Sequence, residues 1–197
     1  IGSRGSDLAL WQAYKVKSQL EDLGSTVELD IILTQGDKIQ DLSFDKMEGK
    51  GFFTKEIEEA LLNKKIDLAV HSHKDLETNP PRGLLIAAVS DREDPSELLL
   101  IKKGAVDSSK RFSLRGKAIV GTSSARRKSQ LLAFRPDIEI KELRGNVPTR
   151  INKLREGDYD AIMLAKAGVI RLKIDLSEFH VVTLDPKEFI PAPAQGA

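Results

Sequence analysis

The sequence predicts an α/β fold of two lobes. Strand-like and helix-like patterns alternate along the chain, a polar stretch with a proline at 90–97 (SDREDPSE) interrupts them once, and the alternation then restarts. Alternation of this kind builds layers around a substantially parallel sheet. The interruption sets the expected boundary, with a first α/β domain over 1–92, to which 191–197 returns, and a second over 93–190. Ligands in such folds sit beyond the carboxyl ends of the strands, so two lobes imply a cleft between them.

Each element follows from local pattern. Ser6 is placed to cap a helix whose apolar positions Ala9, Ala13, Val16, Leu20 and Leu23 step by four and three, and Gly24 is placed to end it. Residues 26–33 (TVELDIIL) alternate as a strand. After the turn Gly49-Lys50-Gly51, a second helix is marked by Phe53, Ile57, Ala60, Leu61 and Lys64, then short strands are expected over 66–70 and 84–89. In the second half, 98–101 and 118–120 read as strands, 124–134 as a helix and 138–143 as a strand. A helix over 148–156 follows, with Pro148 suited to a first turn, and 161–164 is a further strand that closes another strand-helix pair. The polar segment around 100–113 reads as a mobile loop.

Composition narrows the chemistry. In 197 residues there is no cysteine, which excludes disulfides, thiolate metal sites and a cysteine nucleophile within this sequence. No apolar stretch approaches the roughly 18 residues of a membrane span, and no basic-then-apolar leader opens the chain, so the expectation is a cytoplasmic protein without a membrane partner. A net charge of +1 and 5% aromatics give no support to nucleic-acid binding. The distribution of charge is more telling: 121–155 holds nine Lys or Arg against three acids. That segment calls for an anion.

Two strand-turn-helix junctions within it suit one. In VGTSSARRKSQ the helix start offers unpaired N–H groups, Thr122, Ser123 and Ser124 offer hydroxyls, and Arg126 and Arg127 stand in the first turn. The helix dipole disfavours cations there, so another anion is expected to compensate them. LRGNVPTR repeats the geometry with Arg144 and Arg150, whose planar forks match carboxylate or phosphate. At the end of 66–70, HSHKD places Lys74 beside Asp75, a cation and a carboxylate suited to acid/base or charge-stabilising work. His71 and His73 lack the further ligands a metal site needs, GKGFF lacks a Walker ending, and no GxSxG supports serine catalysis.

The ordered motifs IGSRGSDLALWQA, TQGDKIQD, GKGFFTKEIEEALL, DLAVHSHKDL, REDP, VGTSSARR, LRGNVPTR, YDAIMLAKAGVIRL and PAPAQGA span the chain, which resembles the porphobilinogen deaminase (hydroxymethylbilane synthase) family. Glu77 stands where that family usually has proline, Ala194 replaces a glycine, and Ile170 a common basic residue. The resemblance implies two lobes like type II periplasmic-binding-protein domains around an interlobe active-site cleft, followed by a third α+β domain that is not within these residues. It implies a transferase of heme and tetrapyrrole biosynthesis that condenses four porphobilinogen molecules with release of ammonia, on a covalent dipyrromethane cofactor. Porphobilinogen and the growing polypyrrole are the implied partners, and the full-length protein is expected to be a monomer.

By the same resemblance Asp75 is the catalytic aspartate. Arg4, Ser6, Ser124, Arg126, Arg127, Arg144, Arg150 and Arg171 bind carboxylate groups of primer and substrate, Lys50 and Phe53 belong to an active-site loop, and Lys74 contacts the cofactor. The family's anchoring cysteine has no counterpart in this sequence, so the 197-residue chain by itself is expected to be inactive. The rival reading is a non-catalytic two-lobed module binding small polycarboxylates, which explains the arginines but not the Lys74-Asp75 pair together with GKGFF.

Overall fold

The structure is a computed structural model that describes residues 1–38 and 52–197. It forms two compact units, Ile1–Glu93 with Ala194–Ala197, and Asp94–Pro193. Both are mixed α/β, the class expected.

The first unit is built on a short central strand, β1 (Gly2–Ser3), paired in parallel with β2 (Asp30–Ile31). On its other edge Gly2 bridges Ala69, donating to Leu68 O at 2.8 Å and accepting from Val70 N at 3.1 Å. A side chain on Gly2 would press on the Cδ1 end of Ile66 and displace it, so glycine suits the close approach of these segments. The strands expected over 26–33 and 66–70 are therefore reduced to these few pairings. The one expected over 84–89 does not form: Leu85, Ile86 and Val89 are exposed. Helix α1 (Asp7–Asp22) starts at Ser6, whose Oγ accepts from Ala9 N at 3.4 Å, and Gly24 takes a left-handed φ of 87° just beyond its end. A single turn, α2 (Gln35–Lys38), precedes α3 (Lys55–Leu62), whose Ile57 and Ala60 pack against Ile66 in a small core.

The second unit has the larger core. Its sheet runs β5 (Glu139–Lys141), β4 (Ile119–Gly121), β6 (Ala161–Ala165), β3 (Glu97–Ile101), β7 (His180–Leu184). β4 is parallel to β5 and β6, whereas β3 is antiparallel to both β6 and β7. The sheet is thus mixed rather than substantially parallel. Periodicity reveals which residues are strand but not which way a strand runs, so β3's direction had no sequence signal.

Both faces of that sheet are covered, which is why β3 and β6 are near-continuous apolar runs. Leu99, Ile101 and Met163 face one core with Leu131 of α4 (Ala125–Phe134) and Phe189. Leu98, Leu100, Ile162 and Leu164 face another with Ile151 and Leu154 of α5 (Val147–Glu156) and Val169 of α6 (Lys166–Arg171). Each such leucine or isoleucine contributes roughly 1.5–3 kcal/mol by leaving water. The segment 100–113 is folded rather than open: Val106 bridges Leu114, and Ala105 and Leu114 are buried.

Candidate active site

In the first unit the β1–α1 turn, the chain beyond Val70 and the lead-in to α3 converge on one pocket lined by Arg4, Ser6, Gln12, Phe53, His71, Ser72 and Asp75, with Leu8, Ala9 and Val70. Four expected site residues, Arg4, Ser6, Phe53 and Asp75, are therefore neighbours. Arg4 is held rigidly. Its Nε donates to Asp37 Oδ1 at 3.1 Å and Oδ2 at 3.3 Å, its Nη2 pairs with Oδ1, and its guanidinium lies 4.1 Å from the centroid of the Phe53 ring. Asp37 also accepts from Thr34 Oγ1 at 2.7 Å and Thr34 N at 3.2 Å. Burial opposes its charge, yet the Arg4 and Thr34 donors outweigh that and hold its carboxyl below the usual range.

Asp75 ends a 3₁₀ turn, His73–Asp75, whose backbone is fixed by Asp75 N donating to Ser72 O at 2.9 Å and His73 N to Ala197 O at 3.0 Å. The turn leaves Lys74 and Asp75 exposed. Ser72 Oγ donates to Gln12 Oε1 at 3.0 Å, tying this turn to α1. Burial, reinforced by the Arg4 charge, pushes His71 down to about 4, so the imidazole is neutral at pH 7. The pocket thus offers a cation, a carboxylate and neutral polar groups together, a set that suits a ligand carrying both a carboxylate and a developing positive charge. Lys50 lies outside the described residues.

In the second unit the two anion-suited junctions are adjacent. Ser123 Oγ donates to Leu143 O and accepts from Leu143 N, both at 3.0 Å, stitching the β4–α4 turn to the chain just before Arg144. The one hydroxyl proton of Ser123, expected as a ligand donor, is here directed to Leu143 O. Thr122 is buried and accepts from Ser124 N at 3.2 Å, and Ser124 caps α4 by accepting from Arg127 N at 3.4 Å. Asn146 caps α5, and Arg150 Nε donates to Gly145 O at 2.7 Å. Arg144 is partly buried beside this loop, whereas Arg171 ends α6 at 8% exposure, inside the unit.

The anion expected beside Arg126 and Arg127 proves to be part of the chain. Glu97, at 0% exposure, accepts from Arg127 Nε at 3.0 Å and Nη2 at 2.6 Å and from Arg126 Nη2 at 2.7 Å. Burial works against its charge, but the two guanidiniums keep it ionised, with a pKa below the usual carboxylate value. Arg127, at 6% exposure, is thereby an interior residue, and only Arg126 of the pair remains partly open.

Sequence reasoning missed Glu97, Asp37 and Gln12. Two carried a signal: Glu97 heads the otherwise apolar run ELLLI, where a lone acid needs a buried cation, and Gln12 falls three residues after Ala9 on the apolar face of α1. Nothing around Asp37 marks its pairing with a residue 33 positions away.

Comparison with known proteins meets this geometry from another direction. The family model described as porphobilinogen deaminase, dipyromethane cofactor binding domain, matches residues 1–197. The chain is 48% identical over 200 residues to the porphobilinogen deaminase of Sulfurimonas denitrificans and 50% identical over 197 residues to that of Nitratiruptor sp., in each case over 100% of this chain and 62% of the relative. It therefore spans about 62% of the length of those relatives. Among solved structures, an ancestral cationic amino acid solute-binding protein aligns with a TM-score of 0.49 at 18% identity, over 88% of this chain and 66% of the other. Since the family model and the similarity to these enzymes both run from the first residue to the last, the chain belongs to the porphobilinogen deaminase family.

Proposed function

We propose that this chain is the substrate-handling part of a hydroxymethylbilane synthase, which joins four porphobilinogen molecules head to tail and releases one ammonia at each step. The observation that carries the proposal is the shared pocket of Asp75, Arg4 and Ser6. Porphobilinogen has two carboxylates and an aminomethyl group. Arg4 and Ser6 in the first unit, and Ser124, Arg126, Arg144 and Arg150 in the second, are suited to hold carboxylates, with charge-assisted bonds worth about 1.5–3 kcal/mol each. As the C–N bond breaks, ammonia departs and the pyrrole ring is left as an azafulvenium cation. The Asp75 carboxylate stabilises that cation through the ring N–H. Because the charge exists mainly around the transition state, the interaction lowers the barrier rather than merely tightening binding. The α-carbon of the preceding ring then forms the new C–C bond and loses its proton, which a carboxylate such as Asp75 can accept.

The matched family domain is described as binding the dipyrromethane cofactor, and the arginine and serine donors fit that group's carboxylates. Bound dipyrromethane supplies the first attacking pyrrole. Its thioether requires a cysteine, and these 197 residues contain none. We further propose that a full-length version is a cytoplasmic monomer without nucleic-acid or membrane partners; the net charge of +1 over these 197 residues gives no support to a polyanionic partner.

The test is turnover of porphobilinogen by a longer version that includes the anchoring cysteine. Asp75→Asn should lower kcat at least about 100-fold while KM changes only a few-fold, since removing a preorganised charge stabiliser typically costs this much. Normal turnover would remove Asp75 from the mechanism. The 197-residue chain alone should give neither sustained tetrapyrrole formation nor a stable mass increment after incubation with porphobilinogen.

A further inference from the structure

Glu97 is a fully buried acid that the proposed chemistry does not use, and two arginines of α4 reach it. Its backbone is fixed, because in β3 it stands in register with Ala165 of β6 on one edge and Leu184 of β7 on the other. Arg127 grips both carboxylate oxygens and also donates through Nη1 to Met163 O at 3.2 Å, so it is an interior clamp on Glu97. Arg126 makes the single remaining contact, Nη2 to Oε1 at 2.7 Å, and donates through Nη1 to Ile190 O at 2.6 Å. These bonds use two of the five N–H donors that a guanidinium carries, and the side chain is 27% exposed. Its orientation is thus set by the protein before any ligand arrives.

We infer that Glu97 is a positioning residue: anchored by Arg127, it holds the Arg126 guanidinium pre-oriented to receive a carboxylate of the ligand. The inference rests on the reading of the second unit as a carboxylate-binding site. An untethered arginine is among the most rotamer-rich side chains, and ordering it on binding would subtract from affinity. Tethering at both terminal nitrogens removes that cost. Glu97 also compensates cations in the first turn of α4, where the helix dipole opposes them, so the arginines can occupy a position that would otherwise be unfavourable.

Citrate, titrated into the 197-residue chain by calorimetry, tests this. Glu97→Asp keeps the charge but is one methylene shorter, so it cannot span both forks. Arg127, with two bonds, should retain the carboxylate, and Arg126, with one, should lose it. We expect citrate to bind Glu97→Asp about tenfold more weakly. In an Arg126→Ala background the same substitution should make no further difference, which a merely structural role would not produce. If Glu97→Asp fails to fold by circular dichroism, the charge-balanced variant Glu97→Leu with Arg127→Met replaces the buried pair without changing net charge, removes the acceptor that tethers Arg126, and carries the same expectation. Wild-type affinity in a folded Glu97 variant, or losses that simply add to that of Arg126→Ala, would overturn the positioning role while leaving the carboxylate site intact. Unchanged binding by Arg126→Ala itself would instead overturn the carboxylate-site reading and the positioning role with it.

Discussion

His71 shows how a single residue of the pocket reports its environment. Folding moves its pKa from 6.5 to about 4, through burial first and the Arg4 charge second. The unfolded chain therefore binds the proton more readily than the folded one. Stability from this source is complete above pH 6.5, declines as pH falls toward 4 and declines no further below that; at pH 4.5 the loss is roughly 2–3 kcal/mol. Replacing His71 with Gln removes the titration while keeping a polar side chain. Between pH 7 and pH 4.5 the wild type should lose roughly 2–3 kcal/mol more unfolding free energy in urea than His71→Gln; parallel losses would mean that the imidazole is not buried as described. Other titrating groups, Asp37 and Glu97 included, act in both proteins and cancel in the difference. At this scale the sequence was informative about residue type and uninformative about partnership. Arg126 was legible as anion-seeking from its junction, and Arg4 only through the family resemblance, but the carboxylates that orient them become partners only through the fold: Asp37 lies 33 positions from Arg4, and Glu97 lies 29 from Arg126.

Helices were the legible elements because their ends are written locally. Ser6 and Ser124 cap α1 and α4, and the expected apolar spacing of α1 buries Ala13. α5 starts one residue earlier than expected, at Val147: its cap is Asn146, whose Oδ1 accepts from Thr149 N at 2.9 Å and Thr149 Oγ1 at 2.7 Å, with Pro148 in the first turn. Gly145, at φ 115°, is what lets the chain enter that cap, since a side chain there would meet Thr149 at 2.6 Å. Because Arg144 stands in this loop and Arg150 in the first turns of α5, the cap links helix stability to the proposed carboxylate site. Asn146→Ala should cost about 1 kcal/mol of unfolding free energy, lowering Tm by roughly 2–4 °C for a chain of this size. A melting curve that superimposes on the wild type would show that the cap contributes nothing. Strands were less legible. The buried strands β3 and β6 were found as apolar runs, but β7 was not expected, and a short apolar run such as 84–89 is a strand only if another strand pairs with it.

On the scale of the whole molecule, the two units differ in how well they cover their apolar residues. The second encloses its sheet on both faces, with Leu99, Leu100, Ile101, Ile162 and Met163 at 0% exposure. The first has a small core around Ile57, Ala60 and Ile66 and leaves Leu85 78%, Ile86 45% and Val89 55% exposed in the segment that failed to pair. Neighbouring exposed leucine, isoleucine and valine next to unpaired backbone form a surface that a second copy can cover, by apolar burial and by edge pairing together. The 197-residue chain should accordingly associate as its concentration rises. Leu85→Ser with Val89→Ser tests whether this segment is responsible: both side chains are already largely in water, so the substitutions remove little buried area and should leave the thermal midpoint nearly unchanged. Light scattering over a concentration series should then show the wild-type chain gaining mass while the double variant stays monomeric. A wild-type chain that remains monomeric throughout, or a double variant that associates equally, would place the cause of any association elsewhere.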